Sequence, residues 1–324
     1  MKILITGGSG FIGTNTVDYY LSKGFDVLNI DWKPPHKKDH LKNWVELDIL
    51  EKDKLIRVIK DFSPDYVIHL AARTDLNGKS LEEYTQNTAG VENMVAALME
   101  TPSVRRVIFT STQLVCARRN PVDENDYETI NFYGESKKIG EIYLRSHKEI
   151  PFEYAIVRPT SIWGPWFEAP YCNFFHMVMN RRYFHMSRNA ATKTFGFVGN
   201  LIYQMETILL KTPYEQIRGR VFYLGDRPPV LITQWANEIA DMVGVRIPTI
   251  PFFLFKLAAL VGDILKKIGI GFPMTSDRLT NMTTSFENDL DSTFSVAPDP
   301  PYSRIEGTRI TLDWIKSTAK KTSE

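Results

Sequence analysis

Lys2-Ile3-Leu4-Ile5-Thr6-Gly7-Gly8-Ser9-Gly10-Phe11-Ile12-Gly13 is the stretch on which the fold turns. Ile3, Leu4 and Ile5 form a short apolar run of the kind that makes a strand buried on both faces, and the glycines break it at once. Gly8, Gly10 and Gly13 satisfy G-x-G-x-x-G directly after that strand and at the start of a helical stretch, Phe11 to Lys23. Glycines there permit a tight turn and close backbone approach to a pyrophosphate, whose charge then lies at a helix N-terminus. The pattern alone is weak, but its context is right: the next apolar run, Val27 to Ile30, ends in Asp31, 18 residues beyond Gly13. A carboxylate at that point accepts hydrogen bonds from an adenine ribose and repels a 2′-phosphate, which favours NAD over NADP. Lys33, Lys37 and Lys38 lie close enough in sequence to oppose that preference.

Outward from this turn the first half keeps one rhythm. Apolar runs at Trp44 to Leu47, Tyr66 to Leu70, Val107 to Phe109 and Tyr154 to Val157 alternate with helical patterns at Leu55 to Phe62, Leu81 to Met99 and Tyr133 to His147. Continuous apolar strands separated by helices predict a doubly wound parallel α/β sheet of the Rossmann type. After Arg158-Pro159 the rhythm changes. Residues 160 to 200 are rich in aromatics, Pro, Asn and Arg, as in loops and short helices around a pocket. Further on, Leu201 to Lys211 and Ile232 to Val243 read as helices, Arg220 to Leu224 as a strand, and a last helix ends near Trp314. The expected organisation is an NAD-binding domain over residues 1–163, with returning segments near 192–226, and a smaller, mixed substrate-binding region over 164–324.

Composition narrows the function. The chain of 324 residues has 39 basic and 38 acidic side chains, a formal net charge of +1, which offers no broad grip on a nucleic-acid backbone. Two cysteines, Cys116 and Cys172, have neither metal-type spacing nor a secretory framework, so a reducing, cytoplasmic setting is expected. No signal peptide is evident. The apolar stretch from Phe252 to Gly262 is broken by Lys256 and followed by Asp263, Lys266 and Lys267, so it is too short to span a bilayer. It reads as an amphipathic helix packed on the core, with surface-seeking behaviour as the alternative.

A second constellation carries chemistry. Tyr133 and Lys137 in Tyr-Gly-Glu-Ser-Lys lie four apart and share one face of a helix. A phenol is a poor base at neutral pH until a neighbouring ammonium lowers its pKa. Upstream, Thr110-Ser111-Thr112 ends a strand with three hydroxyls at the sheet's C-terminal edge, where open α/β sheets bind ligands.

Together these residues make the chain resemble the extended short-chain dehydrogenase/reductase family, the group of nucleotide-sugar epimerases and dehydratases. The resemblance runs through Gly7, Gly10 and Gly13, Asp31, Asp48-Ile49, Leu70-Ala71-Ala72, Asn87 to Asn93, Tyr133 with Lys137, Arg158-Pro159, Trp163-Gly164-Pro165 and Gly307 to Trp314. It implies a catalytic triplet of Thr112, Tyr133 and Lys137. The implied NAD site comprises Gly7, Gly10, Phe11, Ile12, Gly13, Asp31, Asp48, Ile49, Leu70, Ala71, Ala72 and Asn87, with Tyr133 and Lys137. By the family's layout Asn173, Arg220 and Arg278, with Thr112, would hold the substrate; Arg181, Arg182 and Arg188 fall in the same half. Arginine suits bidentate recognition of a diphosphate. A homodimer paired through the Leu81 to Met99 and Tyr133 to His147 helices is also implied.

One departure is informative. The family's 4,6-dehydratases carry Asp-Glu directly after the catalytic Thr, and here Gln113 and Leu114 stand in those places. Leucine cannot transfer a proton, so dehydration is disfavoured. The resemblance then implies an NAD-dependent epimerase acting at C4 of a nucleotide-activated hexose, UDP-linked, through a transient 4-keto sugar. A 4-ketoreductase or a hydroxysteroid-type dehydrogenase uses the same triplet, and a silent NAD-binding protein is the non-enzymatic rival. Gly199-Asn200 stands where the family often has an Asp, which puts the usual domain contact in doubt. Plainer readings cover the rest. His36 and His40 lie in a charged loop without a zinc motif, and no metal is expected. His69 belongs to a core strand, and Asp123, Glu124 and Asp126 to a solvated acidic loop. Met177, Met179 and Met186 are space fillers.

Overall fold

The computed structural model describes residues 1–116, 124–169, 171–187 and 191–321. Seven parallel strands form one sheet: β1 Lys2–Thr6, β2 Asp26–Asp31, β3 Trp44–Glu46, β4 Tyr66–His69, β5 Arg106–Thr110, β6 Glu153–Pro159 and β7 Val221–Leu224. Their spatial order is β7-β6-β5-β4-β1-β2-β3. The chain reverses direction of travel at β1, so the crevice between β1 and β4 is the topological switch point where such sheets take ligands. Helices α1 (Phe11–Ser22), α2 (Lys52–Phe62), α3 (Ala89–Met99) and α4 (Phe132–Ser146) connect the strands. Ile3, Leu4, Ile5, Val67, Ile68, Val107 and Ile108 are wholly buried, as strands covered on both faces require.

The chain divides into two compact units. The first holds residues 1–167, 196–225 and 289–303, and the second 168–195, 226–288 and 304–324. Unit one contains the sheet, α1 to α4 and a later helix, Val198–Glu206. Within it Asn200 is buried, donates to the Tyr302 carbonyl at 2.8 Å and accepts from the Tyr302 N–H at 3.0 Å. The family's missing Asp is thus replaced by an amide that satisfies itself on a returning segment. Unit two packs α5 (Tyr171–Met179), α7 (Ile232–Val243), α8 (Phe252–Lys267), α9 (Ser276–Thr283) and α10 (Arg304–Lys321), the label α6 being kept for Val198–Glu206. The last helix outruns its expected end at Trp314 by two turns.

Two local expectations are corrected. The Leu81 to Met99 stretch is not one helix: a 3-10 turn, Leu81–Asn87, precedes α3 and breaks at Tyr84. Glu124 is not merely solvated. Its carboxylate accepts the Val221 N–H at 3.0 Å and its carbonyl accepts from Arg158 at 2.8 Å. Asp123 lies outside the described residues.

Arg158 on β6 and Glu141 on α4 form an ion pair with both side chains at 2 % exposure or less. Arg158 Nε and Nη2 reach the two carboxylate oxygens at 2.9 and 2.7 Å, and the guanidinium lies between the Tyr127 and Tyr223 rings. Burying either charge alone is costly, because a buried ion without its partner keeps its desolvation penalty. Arg158→Leu is therefore expected to lower unfolding free energy in urea by about 3–5 kcal/mol, and Arg158→Leu/Glu141→Leu to recover most of that loss.

Candidate active site

The glycine turn builds the first part of the site. Gly7 has φ +72°, and a Cβ there would lie 2.7 Å from the Ala71 nitrogen. A Cβ on Gly13 would overlap the Gly7 carbonyl oxygen. Only glycines let β1, α1 and the Leu70-Ala71 segment close to backbone contact. Asp31 ends β2 beside this turn, its carboxylate accepting N–H groups of Ser9 and Lys33, each at 3.0 Å. Burial raises the Asp31 pKa, while those hydrogen bonds oppose the rise. Lys33 lies over the Trp32 ring and Lys37 pairs with Asp18, so two of the three lysines near Asp31 have partners of their own. Asp48 caps its own turn through the Leu50 N–H at 2.9 Å, and Ile49 is buried. The backbone cradle with an acid at its rim fits an adenine dinucleotide without a 2′-phosphate. The residues that would hold NAD here are Gly7, Gly10, Phe11, Ile12, Gly13, Asp31 and the Leu70-Ala71-Ala72 segment.

Beneath the turn, Thr6 Oγ1 meets His69 Nδ1 at 2.7 Å. Burial drives the His69 pKa down to about 3, so the ring is neutral. His69 is a core residue, although its Nε2 has no protein partner among the described residues. His36 stacks on Trp166 and His40 Nε2 pairs with Asp18 at 2.7 Å.

The second part is α4. Asn131 caps the helix by accepting the Gly134 N–H at 2.7 Å. A Cβ on Gly134 would overlap the Leu114 carbonyl oxygen, so glycine there lets the start of α4 close on the turn that Thr112 caps. Thr112 is buried and its Oγ1 accepts the Leu114 N–H at 3.3 Å. Tyr133 is 8 % exposed, with its ring 6.3 Å from that of Tyr84. Lys137 Nζ donates to the Thr110 carbonyl at the end of β5, 2.7 Å away. Burial lowers its pKa to about 8, with the Glu141 charge acting the other way. Asn87 is fully buried, joining the Arg73 backbone to Ser136 Oγ at 2.9 Å. Nearby, Thr110 Oγ1 and Ser111 Oγ are buried with no hydrogen-bond partner among the described residues.

A separate pocket of about 230 Å³ lies within unit two. Asn173 and Arg278 both line it. So does Lys193, whose ammonium reaches the Asn281 carbonyl and side-chain oxygens at 2.8 Å and whose pKa is lowered by burial. Much of the remaining wall is aromatic or thioether, including Phe174, Trp235 and Met177, so Met177 and Met186 line a cavity rather than merely filling space. Arg220 is not brought here. It precedes β7 at the N-terminal edge of the parallel sheet, the edge opposite Thr112, and reaches Ser292 Oγ at 3.1 Å. Its expected contact with substrate is set aside on that ground. Arg181 and Arg182 do not line the pocket. Arg188 lies outside the described residues. Lys193 was missed in the sequence, its one signal being a cation two residues before Phe195 in an alternating run.

Residues 3–208 match the NAD dependent epimerase/dehydratase family. The chain belongs to that family, and its cofactor is NAD. It is 28% identical to the N-acetyl-alpha-D-glucosaminyl-diphospho-ditrans,octacis-undecaprenol 4-epimerase of Escherichia coli O157:H7, over 99% of this chain and 97% of that one. It is also 27% identical to a 3-beta-hydroxysteroid dehydrogenase of Mycolicibacterium neoaurum, over 77% of this chain and 72% of that protein. Among solved structures, the UDP-glucose 4-epimerase of Thermotoga maritima, crystallised with UDP-glucose, superposes with a TM-score of 0.76 at 20% identity. It covers 98% of this chain and 100% of its own.

Lys137 supplies a pH test. Its folded-state pKa, about 8, lies below its ordinary 10.5, so the unfolded chain binds the extra proton between those values. Stability of the wild type relative to Lys137→Met should therefore rise from pH 8 to 10.5, by about 3 kcal/mol in denaturant titrations. A difference that stays flat through that window contradicts the buried ammonium.

Proposed function

We propose that the protein is an NAD-dependent epimerase that inverts C4 of a hexose carried on a diphosphate, through a 4-keto sugar. The observation that carries this reading is α4, where Tyr133 and Lys137 share a buried face and Lys137 is anchored to the end of β5. NAD, when bound, supplies the acceptor and then the donor for the hydrogen on C4. Tyr133 takes the proton of the 4-hydroxyl and returns it after the ketone has turned. Lys137, one helical turn on, carries the positive charge that favours a phenolate there. Thr112 Oγ1 accepts from Leu114, which leaves its own hydrogen to donate to the sugar's O4. Gln113 is tied to Ser161 Oγ at 3.3 Å and Leu114 has no proton to give, so elimination of water lacks its acid and base.

Lys193 and Arg278 suit a diphosphate, and they favour an activated sugar over the bare alcohol of a hydroxysteroid-type substrate. The Thermotoga enzyme's UDP-glucose and the Escherichia enzyme's undecaprenyl-linked sugar share that diphosphate. A uridine nucleotide is the first carrier to test. A polyprenyl carrier is the second reading, favoured by the apolar wall of the pocket. The setting we infer is cytoplasmic, as a homodimer paired through α3 and α4, where Met99 and Ile142 are exposed.

The test is incubation with UDP-hexoses and polyprenyl-diphosphate hexoses, without added cofactor, followed by chromatography of the 4-epimers. Tyr133→Phe should lower turnover about 10²–10⁴-fold while NAD stays bound. Consumption of NADH with a keto sugar, and no isomerisation, would instead identify a reductase.

A further inference from the structure

Helix α8 (Phe252–Lys267) has two unlike faces. Phe255 and Ala259 pack with Leu279 of α9, against Met186, Ile250 and Met274. A Cβ on Gly262 would overlap the Met274 carbonyl oxygen, so the chain beyond the helix closes on this face and fixes its rotation. Phe253, Leu257, Leu260, Ile264 and Ile268 are between 55 and 65 % exposed. Their spacing of four, three, four and four places them on one stripe, opposite the packed face. It runs about 22 Å along the helix, and no charged residue falls within it. Exposed apolar side chains scattered singly are ordinary in a water-soluble protein, but a continuous stripe of this size marks a docking surface.

Charge identifies the occupant. Residues 246–275 carry Arg246, Lys256, Lys266 and Lys267 against the single acid Asp263. Asp263 lies on the Lys256 flank, somewhat further round from the stripe, and its carboxylate accepts the Ser276 N–H at 3.0 Å, while Lys266 faces Asp277. Lys256 and Lys267 fall together on one margin of the stripe, less than a quarter-turn apart around the helix. An apolar face with lysines on its margin, on a helix lying flat, matches the boundary between anionic headgroups and acyl chains. No helix among the described residues is long and apolar enough to cross a membrane. A second copy fits less well. Two such helices packed face to face and antiparallel about a two-fold axis bring Lys256 of one beside Lys267 of the other.

We propose that α8 seats the protein on the surface of an anionic phospholipid bilayer. Its packed face and the unit-two pocket are joined: Met186 belongs to both, and α9 gives Leu279 to α8 and Arg278 and Met282 to the pocket. Docking through α8 would thus put the cations of that pocket one helical layer from the lipid, within reach of a diphosphate carried on a membrane isoprenoid. That consequence rests on the epimerase reading, whereas the docking itself does not.

Flotation of the full-length protein with vesicles tests the proposal without reading activity. Vesicles of phosphatidylcholine alone are compared with vesicles of phosphatidylcholine and phosphatidylglycerol. The wild type should float with the mixed vesicles about tenfold better than with the neutral ones. Leu257→Glu/Ile264→Glu should lose that binding, with thermal unfolding and NAD binding unchanged. Lys256→Glu/Lys267→Glu should lose the preference for anionic lipid. Absence of vesicle binding, or a Leu257→Glu/Ile264→Glu variant that floats like the wild type, overturns the proposal. So does a wild-type dimer that the same variant converts to monomers, since a second copy then covers the stripe. Intact flotation with no turnover of any sugar would leave the docking in place and remove the epimerase reading.

Discussion

The placement of Tyr133 and Lys137 on α4 depends on one buried ion pair, Arg158 with Glu141. Taking both charges out of water costs several kcal/mol for each ion, repaid only where the geometry is good and the remaining donors and acceptors are filled. They are filled here. Tyr127 donates to the carboxylate at 2.9 Å, while the guanidinium also reaches the Tyr223 hydroxyl and the Glu124 carbonyl. Glu141 stands four residues after Lys137 and eight after Tyr133, so all three lie along one stripe of α4. A rotation of the helix that moved the tyrosine would pull the carboxylate from its partner on β6. The ion pair therefore sets the azimuth of the helix, and the azimuth sets where the phenol and the ammonium point.

Close backbone contact does the complementary task. Gly7 and Gly13 let the first strand, the first helix and the end of β4 meet around one tight turn, and Gly134 lets α4 close on the turn holding Thr112. The glycine turn and the residues we propose for NAD binding and proton transfer are thus carried on the C-terminal edge of one sheet. Lys137 joins them by its bond to Thr110 at the end of β5. A neutral His69 underneath adds no charge to compete with that ammonium.

The sequence made legible whatever rests on period and punctuation. Continuous aliphatic runs marked the sheet strands of the first half, and the glycine turn with Asp31 marked the cofactor side. Features set by tertiary partners were less visible. The Leu81 to Met99 pattern looks unbroken, yet the Asn87 amide binds the Arg73 backbone on both sides and ends the first segment early. Arg220 comes to the substrate list through the family's layout alone, and only its pairing direction, parallel to β6, shows that it starts a strand at the edge away from Thr112. Lys193 was overlooked because a single lysine in a short strand is ordinarily solvated, and only the packed pocket shows it half-buried among aromatics. The Phe252 to Gly262 stretch reads as a helix packed on the core, and α8 does pack through Phe255 and Ala259, but periodicity alone does not say how much of its apolar surface meets protein.

The central claim is that C4 of a diphosphate-linked hexose loses and regains the same hydrogen while Tyr133 handles only the hydroxyl proton. Turnover of a C4-deuterated substrate in ordinary water, followed by mass spectrometry of the epimer, tests it most directly. The account predicts that the deuterium stays at C4 of the product and that no NADH is consumed. Loss of the label to solvent would contradict it, because the inversion would then run through proton exchange at carbon rather than through a 4-keto sugar.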